Sequence, residues 1–272
     1  MSHAGRSAAF KSLGTFGGTH VWQLKGAPHG AGSSFESAFF FECGLTVDAD
    51  GARTAYGPHG LAAALDNLGN AGHPGNWWGL VTDKHHQPIV QSGIAPQQPC
   101  RGFYISQTSL YDSLFDETDV RRFVDAERIP YIALPQPGAP HPGHPPQHYF
   151  RKTGLRLGDF ALLINANNGK YCFAVFADSK NKPNLGEVSI CASGLLGAPT
   201  DAKHGSLPRG VIKLVFPGSG IGQATIPNAD TIARIGKASL EHFSNYRDKN
   251  NTLLAAYPEY PGFAGALIAA GY

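Results

Sequence analysis

Two apolar, β-prone runs joined by a short polar turn constrain the fold of this chain more than any other feature. The runs span residues 159–165 and 171–177, and the turn between them contains Asn168 and Gly169, residue types that tolerate positive φ. This pattern predicts a β-hairpin of two buried strands. The chain also has 34 glycines and 20 prolines in 272 residues and no long amphipathic pattern. Such a composition favours many short strands joined by turns and long loops.

The rest of the chain fits the same mainly β interpretation. Patterning predicts further strands at residues 20–24, 37–47, 76–83, 102–106, 129–135 and 210–217, and helices at residues 61–68 and 232–243. Because prolines bound the run 129–135, we expect it at the edge of a sheet or entering from a loop. We expect residues 1–34 to form an irregular N-terminal arm with one short strand, and residues 35–272 to form a single domain. Within it, the Pro/Gly/His-rich residues 135–148 are expected to be a surface loop.

Charge and hydropathy exclude several classes of protein. The formal net charge is +2 and the lysines and arginines are scattered, whereas nucleic-acid-binding proteins more often have a clustered basic face. No apolar run approaches the ~18 residues that a membrane-spanning helix needs. A hydrophobic fraction of 42% is ample for a globular core. We therefore expect neither a nucleic-acid partner nor a membrane partner.

Cysteine and histidine spacing gives little support for a metal site. Cys43, Cys100, Cys172 and Cys191 lack the CxxC spacing of zinc sites, so small apolar core residues are the expected role. A Cys172–Cys191 disulfide is the alternative, and it would need an oxidising compartment. Three histidines within residues 141–148 lie among prolines with no acidic ligand nearby. We expect neither a metal nor another cofactor.

Two carboxylates stand where a fold seldom needs them. Asp178 ends the apolar run 171–177, and Glu187, after a polar loop, opens a second β-prone run that continues to Cys191. Two strands with an acid at the facing end of each would bring the carboxyl groups together. Cleavage of a glycosidic bond needs such a pair, one protonated and one ionised. The alternatives are that Asp178 caps backbone N–H groups of its loop and that Glu187 is a solvated strand-edge residue.

Three further acids lie near these segments, and two of them, Asp48 and Asp125, are candidates for a role in the site. Asp48 and Asp50 follow a predicted strand and fit a turn, and Asp48 is also a candidate substrate-binding residue. Asp125 is a candidate for orienting a catalytic group or for binding a substrate amine. The alternative for Asp125 is an internal salt bridge with Arg121 or Arg122.

Aromatic residues supply the remaining candidates. Trp77 and Trp78 alternate on a predicted strand, so one should face the core and the other the opposite side. Sugar rings stack on exposed aromatic rings, which makes Trp78 and Tyr104 candidate substrate-binding residues. Plain core packing is the alternative for both.

Several of these segments together resemble the family 75 glycoside hydrolases, the chitosanases of fungi and some bacteria. The similar tracts follow one another between about residues 45 and 220: TVDADGA (46–52), GNWWGLVTD (75–83), GFYIS (102–106), FVDA (123–126), the segment 178–189 and VFPGSG (215–220). The resemblance implies that Asp178 and Glu187 are the catalytic carboxylates. We assign Glu187 as the acid and Asp178 as the base.

The resemblance also implies an activity and a fold. The expected activity is internal cleavage of chitosan with inversion, without a cofactor, by an extracellular protein. The expected fold is a decorated six-stranded, double-psi-like β-barrel with long loops and a few short helices. Residues 35–272 would then be the catalytic domain, and we expect it to act as a monomer on its polysaccharide.

The chain departs from the family pattern beside Asp178. The family reads close to Asp-x-Gly-Pro here, whereas this chain reads DSKNKP (178–183), with no glycine and with lysines at 180 and 182. Lysines beside the cleft would repel a polycation. The N-terminal residues also lack the apolar stretch of a secretion signal. Two alternatives therefore stay open: hydrolysis of peptidoglycan or another amino-sugar glycan after export by another route, and a carbohydrate-binding module without catalysis.

Overall fold

A closed barrel of six strands organises the chain. The structure, a computed structural model, describes residues 10–25, 37–58, 61, 63–94, 100–135, 154–180, 184–244 and 253–272. Its strands are β1 (Phe10–Phe16), β2 (Thr19–Lys25), β3 (Ser37–Asp48), β4 (Gly72–His73), β5 (Asn76–Trp77), β6 (Tyr131–Pro135), β7 (Phe160–Asn165), β8 (Lys170–Lys180), β9 (Glu187–Ser189) and β10 (Ser206–Phe216). Its helices are α1 (Ile190–Leu195), α2 (Ala229–Ser244) and α3 (Pro261–Ala270), with 3₁₀ helices at Leu68–Asn70 and Val120–Arg122.

The barrel combines antiparallel and parallel pairs. Strands β3, β10, β7, β8, β6 and β9 are neighbours in this order, and β9 pairs with β3 to close the barrel. The pairs β3–β9 and β6–β8 are parallel, and the other barrel pairs are antiparallel. The predicted fold class, a mainly β chain built on a decorated six-stranded barrel, is confirmed. None of the helices in the described ranges is long and apolar enough to cross a membrane.

The hairpin predicted from the two apolar runs is the pair β7–β8. Its register runs from Phe160 opposite Val175 to Asn165 opposite Lys170. Gly169 has φ +74° in the turn, a conformation that glycine adopts without steric cost. The strands predicted at 37–47 and 210–217 are also present, as β3 and β10.

Alternation along the strands separates an interior face from an outer face. The interior holds apolar side chains from all six barrel strands, among them Phe39, Phe41, Leu45, Val47, Ile132, Leu134, Leu163, Ala174, Phe176, Val188, Val211 and Val215. The outer face of β7 and β8 is covered by α2 and α3. One interior position breaks the pattern, because Lys213 is fully buried between Val211 and Val215 on β10.

The two long helices differ in how far the sequence predicts them. The helix predicted at 232–243 is α2; it begins earlier because the side chain of Asn228 accepts a hydrogen bond from the Thr231 N–H (2.8 Å). Helix α3 was not predicted, because its sequence is apolar on all sides and has no amphipathic period. Pro261 stands in its first turn and Gly271 (φ 109°) ends it, as the usual helix signals require.

Several sequence predictions are wrong. No helix forms at 61–68 in the part of that segment that the structure describes; turns and the 3₁₀ helix Leu68–Asn70 take its place. Of the two alternatives for residues 129–135, the edge position is wrong, because β6 lies between β8 and β9; the strand does follow a turn at residues 126–129. The run from Glu187 is a strand only to Ser189, whose hydroxyl accepts from the Ala192 N–H and so starts α1.

The N-terminal residues and the segment 49–125 also differ from expectation. Residues 10–25, expected in an irregular arm with one short strand, form two strands, and β2 extends the sheet from β3. Of the predicted strand 76–83 only Asn76–Trp77 is a strand, and 102–106 contributes isolated bridges. The predicted loop 136–148 lies outside the described residues.

None of the four cysteines, all of which lie in the described ranges, forms a disulfide. Cys43, Cys100 and Cys172 are buried and Cys191 is half-buried. The expectation of small apolar core residues is confirmed for the three buried thiols, and the Cys172–Cys191 disulfide is absent.

Candidate active site

Five carboxylates meet in one cleft at the ends of three barrel strands. Asp48 ends β3, Asp178 lies near the end of β8 and Glu187 begins β9. A cleft of about 780 Å³ contains these three side chains together with Asp50 and Asp66. No lysine, arginine or histidine is among the described residues that line it. The described lining of the cleft is therefore acidic.

A β-bulge turns Asp178 towards this cleft. Phe176 pairs with Ile132, but the next pair joins Asp178 to Ala133, so Ala177 is an extra residue in β8. Strict alternation from Phe176 would place residue 178 in the interior. With the extra residue, Asp178 pairs with Ala133 instead. Ala133 stands between the interior residues Ile132 and Leu134, so Asp178 and Ala133 both face outwards. Bulges of this kind re-aim a side chain next to many active sites.

The segment around Ser109 fixes the bulge and the carboxylate together. The Leu110 N–H donates to the carbonyl of Ala177 (2.7 Å). The backbone N–H and the hydroxyl of Ser109 both donate to Oδ1 of Asp178, each at 2.8 Å. The capping role considered for Asp178 is therefore present, and it includes a residue 69 positions away as well as the backbone of Ser179.

The pKa of Asp178 is raised to about 6. Burial is the largest cause, since only 9% of the residue is exposed. The hydrogen bonds from Ser109 oppose the rise, and the negative charge of Glu187 adds to it. A carboxyl with this pKa changes its protonation state in the range where a general acid or base works.

Strand pairing directs Glu187 to the same side. Thr46 pairs with Glu187 and Val47 with Val188 in the parallel ladder of β3 and β9. Val47 and Val188 belong to the barrel interior, so Thr46 and Glu187 face outwards, and both line the cleft. Gly186 permits this close pairing, because a Cβ at that position would lie 2.8 Å from the carbonyl oxygen of Gly44.

Asp50 forms a tight cluster with Asp48 and Asp178. One carboxylate oxygen from each lies within 4.8 Å of the others. Burial raises the pKa of Asp50 well above its usual range, the charges of Asp48 and Asp178 add to this, and the hydrogen bond from Tyr56 opposes it. The protonated form of Asp50 is thereby favoured. Three carboxylates at this spacing are also a donor set of the kind that holds a hard divalent cation.

Tyr56 connects the cluster to the fifth acid. Its hydroxyl lies 2.8 Å from Oδ1 of Asp50 and 3.3 Å from Oδ2 of Asp66. Asp66 also accepts from the side chain of Asn70, at 2.9 and 3.0 Å. Tyr131 supports the cluster from the barrel, because its hydroxyl donates to the carbonyl of Asp50 (2.9 Å).

Trp78 forms an aromatic wall of the cleft. It is 54% exposed and lines the cleft, whereas Trp77 packs on the core, so the predicted division between the two side chains is present. The indole N–H of Trp78 donates to the carbonyl of Asn70 (2.8 Å). The side chain of Gln107 donates to the carbonyl of Trp78 (3.0 Å). The ring is held in place while about half of the side chain stays exposed, with the ring of His73 at 5.9 Å.

The structure does not bring Asp125 and Tyr104 into the cleft. Asp125 is buried and pairs with Arg53 (Oδ2 to Nε, 3.7 Å), so the internal ion pair forms with a partner other than Arg121 or Arg122. Tyr104 is half-buried and packs on the outer core. Both lie elsewhere because the segment 49–125 folds through bridges and turns rather than as the predicted strands.

Sequence reasoning missed four residues of the site. The sequence did place Asp50 beside Asp48, in a turn. That turn is present, because the Asp50 N–H donates to Oδ1 of Asp48 (2.8 Å), and the carboxyl group of Asp50 also joins the cluster. Asp66, Tyr56 and Ser109 had no signal in the sequence, because only the tertiary fold brings them to the carboxylates.

The chain matches no protein-family model and no curated protein. The case for a function therefore rests on the geometry of the cleft.

Proposed function

We propose that the protein is an endo-acting glycoside hydrolase that cleaves β-1,4-linked glucosamine polymers with inversion. The observation that carries the proposal is that Asp178 and Glu187, from different strands, line one open cleft, and that burial raises the pKa of Asp178 to about 6. A pair of carboxylates with different environments is what glycoside hydrolysis uses. The resemblance of the segment 178–189 to family 75 chitosanases supports the same pair.

Each carboxylate has a separate role. Glu187 gives its proton to the glycosidic oxygen, so that the leaving sugar departs as a neutral alcohol. Asp178 is ionised above a pH of about 6 and takes a proton from the water that attacks the anomeric carbon from the opposite face. The new C–O bond then has the inverted configuration.

The charge of the cleft favours an amine-bearing sugar. Five carboxylates line it without a basic side chain among the described lining residues, and such a field attracts a polycation and repels an acidic glycan. The exposed part of Trp78 provides a surface on which a sugar ring can stack. Residues 181–183 and the side chain of Lys180 lie outside the described residues.

Paired substitutions test the proposal. In Asp178→Asn and Glu187→Gln we expect kcat on chitosan oligomers to fall by roughly 10³-fold or more, since each removes a proton-transfer group. Asp230→Asn and Glu241→Gln, at exposed positions of α2, are matched controls that should retain activity. NMR of the first product should detect the α-anomer. Turnover like that of the wild type in a folded Asp178→Asn or Glu187→Gln variant would contradict the assignment.

Two further measurements separate the alternatives. Release of fragments from cell-wall sacculi but not from chitosan would favour peptidoglycan hydrolysis. Binding to chitosan without any shortening of its chains would favour a binding module. EDTA should change kcat by less than about 2-fold, because the two-carboxylate chemistry needs no metal. A large loss that Ca²⁺ or Mg²⁺ restores would instead make the cluster of Asp48, Asp50 and Asp178 a cation site.

A further inference from the structure

The interior of the barrel contains one side chain that an apolar core does not call for. Lys213 is the only buried lysine or arginine within the described ranges, with none of its surface exposed. Its neighbours across the ladder are Phe41 on β3 and Leu163 on β7, both interior residues. Burial of an ammonium group among such residues is strongly unfavourable unless the group is hydrogen-bonded. The side chain must therefore reach a polar partner.

That partner belongs to the candidate active site. Nζ of Lys213 donates to the backbone carbonyl of Glu187 at 3.0 Å. The lysine approaches from inside the barrel, while the carboxylate of Glu187 faces the cleft on the outside. Lys213 thus binds the backbone of Glu187 on the interior side of the barrel wall, and the side chain of Glu187 extends into the cleft on the other side.

Strand β9 is short, and its ladder gives limited support. It has three residues, which pair with Thr46, Val47 and Asp48 of β3, and a single residue that pairs with β6. Glu187 is the first residue of this strand and follows a segment that begins at Asn184 in the described chain. The Nζ of Lys213 supplies a further donor to this short strand, at 3.0 Å from the carbonyl oxygen of Glu187. It is well placed to fix the peptide from which the Glu187 side chain extends.

We infer that Lys213 is a positioning residue for Glu187, holding the first peptide of β9 so that the carboxyl group stays in register with Asp178 across the cleft. This inference rests on the proposed function. Lys213 touches neither substrate nor the reacting atoms, so it acts through the placement of the acid. Catalytic groups lose activity when they are misplaced by as little as about 1 Å.

Substitution by methionine provides the main test. Lys213→Met has a chain of similar length and fills the same interior space without the charge. We expect kcat on chitosan oligomers to fall by about 10-fold or more while KM changes by less than about 2-fold, because the binding surface is unchanged. Lys237→Met is the matched control, since Lys237 is exposed on α2 and pairs with Glu241 (3.8 Å). This control should retain the wild-type kcat.

A purely structural role predicts a different pattern. In that case Lys213→Met would lower the unfolding temperature but keep kcat at assay temperatures where the protein is folded, and this result would overturn the inference. If Lys213→Met does not fold, Lys213→Ala provides a second test with added amines. Restoration of kcat by ethylamine but not by ethanol supports the inference, and equal effects of the two, or no effect, overturn it.

The outcomes also separate this inference from the proposed function. Failure of the wild-type protein to cleave chitosan, or cleavage that Glu187→Gln leaves intact, defeats the proposed function. Cleavage that Glu187→Gln abolishes and Lys213→Met leaves intact defeats only the role of Lys213.

Discussion

The two outer sides of the barrel are covered by different kinds of structure. On the side of β7 and β8, α2 and α3 cover the strands with buried apolar side chains such as Ile232, Leu240, Phe263 and Leu267. On the side of β3 and β9, the described parts of the segment 49–125 lie over the strand ends with few regular elements. Buried apolar side chains such as Leu80 and Leu110 are combined there with many hydrogen bonds. Apolar cover seals a surface against water. The irregular segment, whose backbone is fixed by hydrogen bonds, instead leaves a cleft that contains the carboxylates.

The largest effect is expected on the helix-covered side. Phe263→Ala should lower the free energy of unfolding by about 3–5 kcal/mol, because Phe263 is 2% exposed and its loss leaves a cavity against Tyr257. The kcat measured below the unfolding transition should not change. Urea unfolding checks the predicted loss of stability, and steady-state kinetics check the unchanged kcat. A parallel fall in kcat would show that the two sides are coupled.

On the cleft side, removal of a charge should stabilise the protein. The pKa of Asp178 is about 6 in the folded protein and about 3.9 in an unfolded chain. The folded state therefore holds more protons, and the contribution of this group to stability falls as pH rises from about 4 to about 6. Asp178→Asn should raise the free energy of unfolding by ~1–3 kcal/mol at pH 7.5.

The pH dependence provides the control for this prediction. At pH 3.5, where wild-type Asp178 is protonated in both states, the stabilising effect of Asp178→Asn should vanish. Equal stabilisation at both pH values would mean that the change acts through packing rather than charge.

Activity should follow the same titration in the opposite direction. Because the base must be ionised, log kcat/KM should fall by about one unit per pH unit below a pH of about 6. The profile of Phe263→Ala should be the same as that of the wild type, since the substitution lies on the other side of the barrel. An acidic limb centred near 4 in the wild type would place the base outside the buried environment described here.

The smallest effect is expected at the aromatic wall. Trp78→Ala should raise KM by about 5–10-fold through the loss of ring stacking, which is worth ~1 kcal/mol. Its effect on unfolding should stay within about 0.5 kcal/mol, because the side chain is largely exposed. Trp77→Ala is the matched variant and should do the reverse, lowering stability with little change in KM. Equal effects of the two substitutions on KM and on stability would contradict the assignment of Trp78 to the cleft and Trp77 to the core.

The sequence predicts well those parts of the fold whose cause is local. The β7–β8 hairpin, β3, β10 and α2 follow from alternation, turn residues and helical periodicity. The cover of the cleft side does not, since isolated bridges such as Leu80–Ser106 join residues far apart in the chain and leave no local period. The failed helix at 61–68 has the same cause, because tertiary hydrogen bonds took the place of helical ones.

The candidate site divides in the same way. Asp178 and Glu187 could be predicted because each stands at the end of a β-prone run. Asp48 could be predicted because it follows a strand, and Trp78 because it alternates with Trp77 on a predicted strand. Ser109 could not, since it reaches Asp178 across 69 residues. The extra residue in β8 could not be predicted either, because a bulge depends on how two strands pair and not on the type of residue.

That extra residue makes the register of β8 decide whether Asp178 reaches the cleft. If Ala177 paired with Ala133, Asp178 would pair with Leu134 and turn towards the apolar interior that already contains Lys213. Every acid of the cleft would stay in the sequence, yet one would leave the cleft. A change of register in β8 is therefore expected to matter more than most substitutions there.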